Sequence, residues 1–151
     1  MRGLPRPTRD IDVLFSAPRV SLPGLLERFR ERGFSFDLTD VLRQLGADHL
    51  SEVRYGEIRV DLLEAVVPIF QHAIERAREE SIRGRLVRVV TPEDLIVLKL
   101  VAGRENDIGD VRGILAAQGS QIDLEAARRS LRECCDEDRV RLLERLAKDA
   151  A

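Results

Sequence analysis

Three aspartates are the residues of this sequence with the clearest capacity for chemistry, and two of them lie close together. Asp10 and Asp12 alternate with Ile11 and Val13 at the start of an apolar run. Because side chains in a β-strand point to opposite faces with a period of two, both carboxylates emerge on one face, with Cα atoms about 6–7 Å apart. Two convergent carboxylates can hold a hard cation, and Mg²⁺ typically takes one or two carboxylates together with substrate phosphates.

The third aspartate lies on a second predicted strand. The segment Glu57–Glu64 alternates apolar and polar residues and is predicted to pair, through a turn at Gly56, with a strand at His49–Tyr55. Asp61 then shares a face with Arg59. Such a face is typical either of a site or of a solvated surface, and Asp-x-Asp is itself frequent at solvated strand edges. Both interpretations stay open on spacing alone.

A later helix carries a lysine in an apolar setting. Thr91 is a good N-cap, Pro92 suits the first helical position, and two acids follow in the first turn. Lys99 interrupts the apolar stretch Leu95–Ala102. It either extends to solvent along the helix surface or points into a charged cleft.

The remaining pattern predicts an α+β fold. A helix is predicted at Val67–Glu80 and a strand at Leu86–Val90, and further helices follow to the end of the chain. We therefore expect a single domain over residues 1–151. A small mixed sheet packed by helices fills about residues 1–90, and a helical part fills about residues 91–151.

Composition limits the classes of function. The chain has 151 residues, a net charge of −2, 44% hydrophobic and 4% aromatic residues. A general nucleic-acid binder usually shows a basic excess, which is missing here. No apolar run is long enough for a membrane span, and the N-terminus has no signal-peptide core. The two cysteines are adjacent, which disfavours a relaxed disulfide. These features predict a soluble cytoplasmic protein that does not bind membranes.

Three segments taken together resemble the minimal nucleotidyltransferases of the DNA polymerase β-like superfamily. The closest similarity is to AbiEii-type toxins and related bacterial families. The segments are Arg6–Asp12 (RPTRDID), Val60–Leu63 (VDLL), and Thr91–Leu100 (TPEDLIVLKL) followed by Arg104, Asp107 and Asp110. They occur in the family's order over about residues 4–118.

The resemblance implies a reaction and a cofactor. Asp10, Asp12 and Asp61 would be the catalytic carboxylates and would hold Mg²⁺ or Mn²⁺. An NMP group would pass from an NTP to an acceptor (RNA, a protein hydroxyl or a small molecule), with pyrophosphate displaced in line. A cognate antitoxin or a second copy of the chain is the macromolecular partner that it implies.

The resemblance also assigns residues to the nucleotide or the acceptor. Thr8 would set the turn into the first strand, and Arg6 would lie beside it. Lys99 would approach the nucleotide or acceptor, while Arg104 and Asp107 would line the helical side of the cleft.

Two positions depart from the family pattern. Members usually place a Gly-Gly or Gly-Ser turn and a helix before the first aspartates, and this turn offers backbone N–H groups to the phosphates. Here only Gly3 precedes them, so we expect a late start site, a fragment or a divergent non-catalytic member. Asn106 stands where a basic residue is frequent.

Three functions are therefore compared. The first is a Mg²⁺-dependent nucleotidyltransferase, and the second is a transferase-like binding module or fragment that acts through a partner protein. The third is a metal-dependent phosphohydrolase, which ranks last because His49 and His72 are isolated in the sequence.

Overall fold

The computed structural model describes residues 10–150, which contain five strands and seven α-helices. The strands are β1 (Asp10–Phe15), β2 (Leu50–Tyr55), β3 (Ile58–Glu64), β4 (Arg78–Ile82) and β5 (Arg85–Val89). The helices are α1 (Leu22–Glu31), α2 (Leu38–Asp48), α3 (Pro68–Arg76), α4 (Pro92–Ala102), α5 (Glu105–Gln118), α6 (Leu124–Cys134) and α7 (Glu137–Ala150). The predicted α+β class is confirmed. The chain forms two compact units, Met1–Pro68 and Ile69–Ala151.

The first unit contains a mixed three-stranded sheet in the order β1-β3-β2. β3 is the central strand, parallel to β1 and antiparallel to β2. The predicted hairpin between β2 and β3 is present, and Gly56 supplies the left-handed turn conformation with a φ of 58°. The register places Asp61 directly beside Asp12 on one side and Glu52 on the other.

The apolar face of this sheet packs on α1 and α2. Val53, Val60 and Leu62 are buried together with Leu26 and Leu45 from the two helices. Because side chains alternate along a strand, burial of Val60 and Leu62 turns the intervening Asp61 to the opposite face. The hydrophobic core of the first unit thus determines which face of the sheet is polar.

The second unit is built mainly of helices. Its core is formed by α4 to α7, with the buried residues Ile96, Val97, Leu100, Val111, Leu115, Ile122, Ala127, Leu131, Val140, Leu143 and Leu146. The α4 start is as predicted: Thr91 caps the helix, and its side chain accepts a hydrogen bond from the Asp94 backbone N–H. The helix ends at Gly103, which has a φ of 65°.

One predicted element is partly wrong. The helix expected at Val67–Glu80 ends at Arg76, and Arg78–Ile82 is a strand paired with Arg85–Val89. Arg83 and Gly84 both have positive φ, which is the geometry of a two-residue hairpin turn whose twist suits the strands on either side. Pairing with the following segment therefore overrides the helical pattern of the charged residues before the turn.

None of the helices within residues 10–150 combines the length and the apolar character that crossing a lipid bilayer requires.

The Thr91 cap carries a prediction about stability. Its hydroxyl also donates to Asp94 Oδ2 at 2.9 Å, and the Asp94 carboxylate is held by Arg76, with Nε 3.1 Å from Oδ2. Thr91→Ala removes a buried cap, so we expect the free energy of unfolding to fall by about 1–2 kcal/mol. Chemical denaturation followed by circular dichroism measures the change. Thr39→Ala, an exposed position in α2, is the control and should change it by less than about 0.5 kcal/mol. Equal losses in both variants would contradict the capping role.

Candidate functional site

The polar face of the three-stranded sheet gathers the predicted carboxylates. Asp10 and Asp12 lie at the start of β1, and the parallel register sets Asp12 beside Asp61 and Asp10 beside Arg59. The structure therefore brings together the three aspartates predicted as catalytic and metal-binding residues. Their proximity comes from pairing between strands that are far apart in the sequence.

A guanidinium lies among these carboxylates. Arg59 Nη2 is 3.4 Å from Asp10 Oδ2 and 3.2 Å from Asp61 Oδ2. The sequence pattern placed Arg59 on the face of Asp61, but it gave no reason to expect one guanidinium to contact two of the three aspartates.

Glu52 is a fourth acid on this face, and the sequence reasoning missed it. It is the register partner of Asp61 on β2. Its carboxylate lies 3.0 Å from Arg54 Nη2 and 3.9 Å from Arg59 Nε. A signal was available: with the hairpin turn centred at Gly56, antiparallel pairing sets Glu52 opposite Asp61, and the alternation of Glu52 with the buried Ser51 and Val53 turns its side chain to the polar face.

The electrostatics of the face are concentrated at Asp61. Partial burial raises the pKa of its carboxyl group, and repulsion from the carboxylates of Asp12, Glu52 and Asp10 raises it further, while Arg59 opposes the rise. The pKa remains above its usual value. Asp61 therefore lies in a field in which additional positive charge would be favourable.

This face has the ligand chemistry of a magnesium site without a preformed cage. Carboxylate oxygens are the ligands that Mg²⁺ prefers, and Asp10, Asp12 and Asp61 supply them from adjacent strands. Within residues 10–150, no group of three or more His, Cys, Asp or Glu side chains is arranged to hold a metal ion. The donor set fits the ion chemically, and the metal site stays a prediction.

His49 belongs to a different cluster in the first unit. Its Nδ1 lies 2.9 Å from Oε2 of Glu64, a buried residue that also accepts a hydrogen bond from Arg19 Nη2 at 3.0 Å. Along β3, Glu64 points to the face opposite that of Asp61. His49 thus does not add an imidazole to the row of carboxylates.

Two predicted nucleotide-binding residues, Thr8 and Arg6, lie outside the described residues. The other three form a cluster of their own in the second unit. Asp107 is only 2% exposed, and its carboxylate accepts from Lys99 Nζ at 3.3 Å and from Arg104 Nε at 2.7 Å. Lys99 also reaches Asp110 Oδ2 at 2.8 Å.

Asp107 also organises the start of α5. Its Oδ2 accepts a hydrogen bond from the backbone N–H of Arg104, 3.2 Å away, at the N-terminal boundary of the helix. Hydrogen bonding from the Arg104 side chain, aided by Lys99, holds the pKa of Asp107 below its usual value although burial opposes this. Burial also disfavours the charged form of Lys99, but its bonds to Asp110 and Asp107 outweigh that effect and raise the pKa of Lys99. Within this unit, then, Asp107 holds the two predicted nucleotide-binding cations in place.

Comparison with protein families gives one match. Residues 8–148 match the family described as "Nucleotidyl transferase of unknown function (DUF2204)". The match covers most of the chain, and the chain belongs to this family. No curated protein matches the chain.

The Asp107 cluster predicts a pH-dependent stability. Because the folded-state pKa of Asp107 lies below its usual value of 3.8, its contribution is fully present above pH 3.8 and is lost as the pH falls through the lower, folded-state value. At pH 7 we expect Asp107→Asn to lower the free energy of unfolding by about 1–3 kcal/mol. The difference from the wild-type chain should shrink on acidification below pH 3.8, as measured by denaturant titrations.

Asp110→Asn is the matched control for this experiment. It removes an exposed partner of the same lysine, so its loss at pH 7 should be smaller than about 1 kcal/mol. If the effect of Asp107→Asn were the same at neutral and at acid pH, the ionised carboxylate would not be the stabilising group.

Proposed function

We propose that this member of the family is a metal-dependent nucleotidyltransferase that moves an NMP group from an NTP to an acceptor. The observation that carries the proposal is the register of the sheet, which aligns Asp12 with Asp61 and sets Asp10 beside the Arg59 that Asp61 also contacts. Family membership supports the reaction class, and the three carboxylates support its dependence on a cation. The acceptor is RNA, a protein hydroxyl or a small molecule.

In this proposal, Asp10, Asp12 and Asp61 would hold Mg²⁺ or Mn²⁺. When bound, the ion neutralises charge on the nucleotide phosphates and on the oxygens of the displacement. The chain supplies carboxylates whose spacing is fixed by strand pairing, so little rearrangement of the backbone is needed. Mutual repulsion among these acids favours a cation at this face, so ion binding should also stabilise the fold.

The remaining residues have proposed roles in binding the nucleotide or the acceptor. Thr8 and Arg6 would lie beside the nucleotide at the entry to β1. Lys99 and Arg104 would contact the nucleotide or acceptor. Asp107 would position these two cations rather than touch the substrate, because it is buried and already bonded to both.

The second candidate function is a transferase-like module that binds a partner protein, or a second copy of the chain, without turnover. One observation favours it: Arg59 already neutralises carboxylates that catalysis needs for a metal. Under this hypothesis the guanidinium would be a permanent replacement for the cation. Measurements of metal binding and of transfer separate the two candidates.

The transferase proposal predicts the loss of both binding and transfer in one variant. With the Asp10→Asn/Asp12→Asn chain, we expect Mg²⁺-dependent binding of ATP, measured by calorimetry, to disappear. Transfer from each α-labelled NTP to total RNA or to the chain itself should fall by more than about 100-fold, because an ion contributes several kcal/mol to stabilising the transition state.

Asp40→Asn is the control, since Asp40 lies on α2 and pairs only locally, with Arg43 at 3.3 Å. Binding and transfer in this variant should equal those of the wild-type chain. Transfer that survives in the double variant would overturn the proposed site. Absence of both ATP and Mg²⁺ binding in the wild-type chain would favour the binding module.

The resemblance to AbiEii-type toxins supports a more specific proposal about biological role. In that proposal, the transfer activity acts in the cytoplasm on a host acceptor and is held in check by a cognate antitoxin or serves in defence against phage. The support comes from the residues of the resembling segments, and it depends on the transferase proposal.

This role predicts a growth phenotype. Induced expression of the wild-type chain in a bacterial host should arrest growth, and expression of the Asp10→Asn/Asp12→Asn chain to the same level should not, because arrest requires the transfer reaction. Colony counts after induction measure the effect, with Asp40→Asn as the control. Arrest by the double variant would show that toxicity, if present, does not depend on these carboxylates.

A further inference from the structure

Arg59 is the cation at the centre of the acidic face, and its contacts are shared between two predicted metal ligands. We propose that Arg59 is a built-in counter-cation: it fills the metal-binding position in the metal-free protein, and a divalent ion must displace it to bind. This inference rests on the proposed function, since it concerns the same carboxylates.

The contacts of Arg59 place it in direct competition with a metal. Its Nη2 lies within 3.4 Å of Asp10 Oδ2 and within 3.2 Å of Asp61 Oδ2. A cation held by these carboxylates needs the same oxygen atoms, since Mg²⁺ binds carboxylate oxygens at about 2.0–2.1 Å. Both cations cannot occupy that position together.

The surroundings of Arg59 show that this position is incompletely neutralised. Four carboxylates (Asp10, Asp12, Asp61 and Glu52) influence one another on this face, and the two guanidiniums that pair with them are those of Arg59 and Arg54. Negative charge is in excess even with Arg59 in place. A divalent ion adds more positive charge than the single charge that it displaces, so exchange is electrostatically favourable.

Glu52 offers Arg59 an alternative partner. Arg59 Nε lies 3.9 Å from Glu52 Oε2, beyond hydrogen-bond distance, and this nitrogen is buried without a hydrogen-bond partner. A small rotation of the side chain away from Asp10 and Asp61 would allow this bond to form. Glu52 is therefore a positioning residue that can receive the guanidinium when the metal arrives.

The first test is calorimetric titration of Mg²⁺, and then Mn²⁺, into the full chain and two variants. Arg59→Gln should bind either ion about 10-fold more tightly than the wild-type chain, which is the result expected when the competing guanidinium occupies the position about nine-tenths of the time. Arg54→Gln makes the same change in net charge on the same face but pairs with Glu52 alone. Its affinity should change by less than about 3-fold.

A second measurement uses the wild-type chain and needs no substitution. Proton exchange of the Arg59 Nε–H with water, followed by NMR, should accelerate on addition of Mg²⁺, because the nitrogen is buried in the metal-free protein. The Arg54 signal provides the internal comparison.

The outcomes separate this inference from the proposed function. If the wild-type chain binds Mg²⁺ but Arg59→Gln binds it no more tightly, or if exchange at Arg59 is unchanged by bound ion, displacement is overturned and the transferase proposal stands. A change in affinity as large for Arg54→Gln as for Arg59→Gln would reduce the effect to net charge and would also overturn it. If neither the wild-type chain nor Arg59→Gln binds either ion at millimolar concentrations, both proposals fail.

Discussion

Repulsion among carboxylates held side by side is the constraint on which the candidate site depends. Hydrogen bonding of β3 between β1 and β2 fixes Asp12 and Glu52 on either side of Asp61. The acids cannot move apart without breaking the ladder, and burial of Val60 and Leu62 on the other face prevents the strand from shifting by one residue. The apolar core of the first unit thus stabilises an arrangement that its polar face opposes. Positive charge at that face is the natural way to relieve the conflict.

The raised pKa of Asp61 is a measure of that conflict. Its causes are burial first and the neighbouring carboxylates next, with Arg59 acting against them. A carboxyl group whose pKa is raised in the folded state contributes most to stability below its usual pKa, and this contribution is lost as the pH rises through the folded-state value. At neutral pH, ionised Asp61 therefore opposes folding in the metal-free protein. Arg59 offsets part of this cost, which explains why a cationic residue is tolerated among putting-together acids that a metal would otherwise neutralise.

Much of this site follows from local pattern, but its decisive contacts do not. Alternation alone predicts that Asp10 and Asp12 share a face, and Thr91 correctly predicts the start of α4. The contact of Arg59 with β1 depends on parallel pairing between distant segments, which local periodicity does not contain. The same limit explains the error at Arg78–Ile82, where a turn and a partner strand later in the chain decide the conformation. Glu52 was accessible to reasoning, because hairpin register is fixed by its turn.

The two charged clusters solve the problem of a partly buried acid in different ways. In the second unit, Asp107 is buried but receives hydrogen bonds from two cationic side chains and a backbone N–H, so its pKa falls. In the first unit, Asp61 shares one guanidinium with Asp10 and faces further carboxylates, so its pKa rises. The Asp107 carboxylate is satisfied by the chain's own cations and needs no ligand. The Asp61 face retains excess negative charge, and it is there that an external cation gains most by binding.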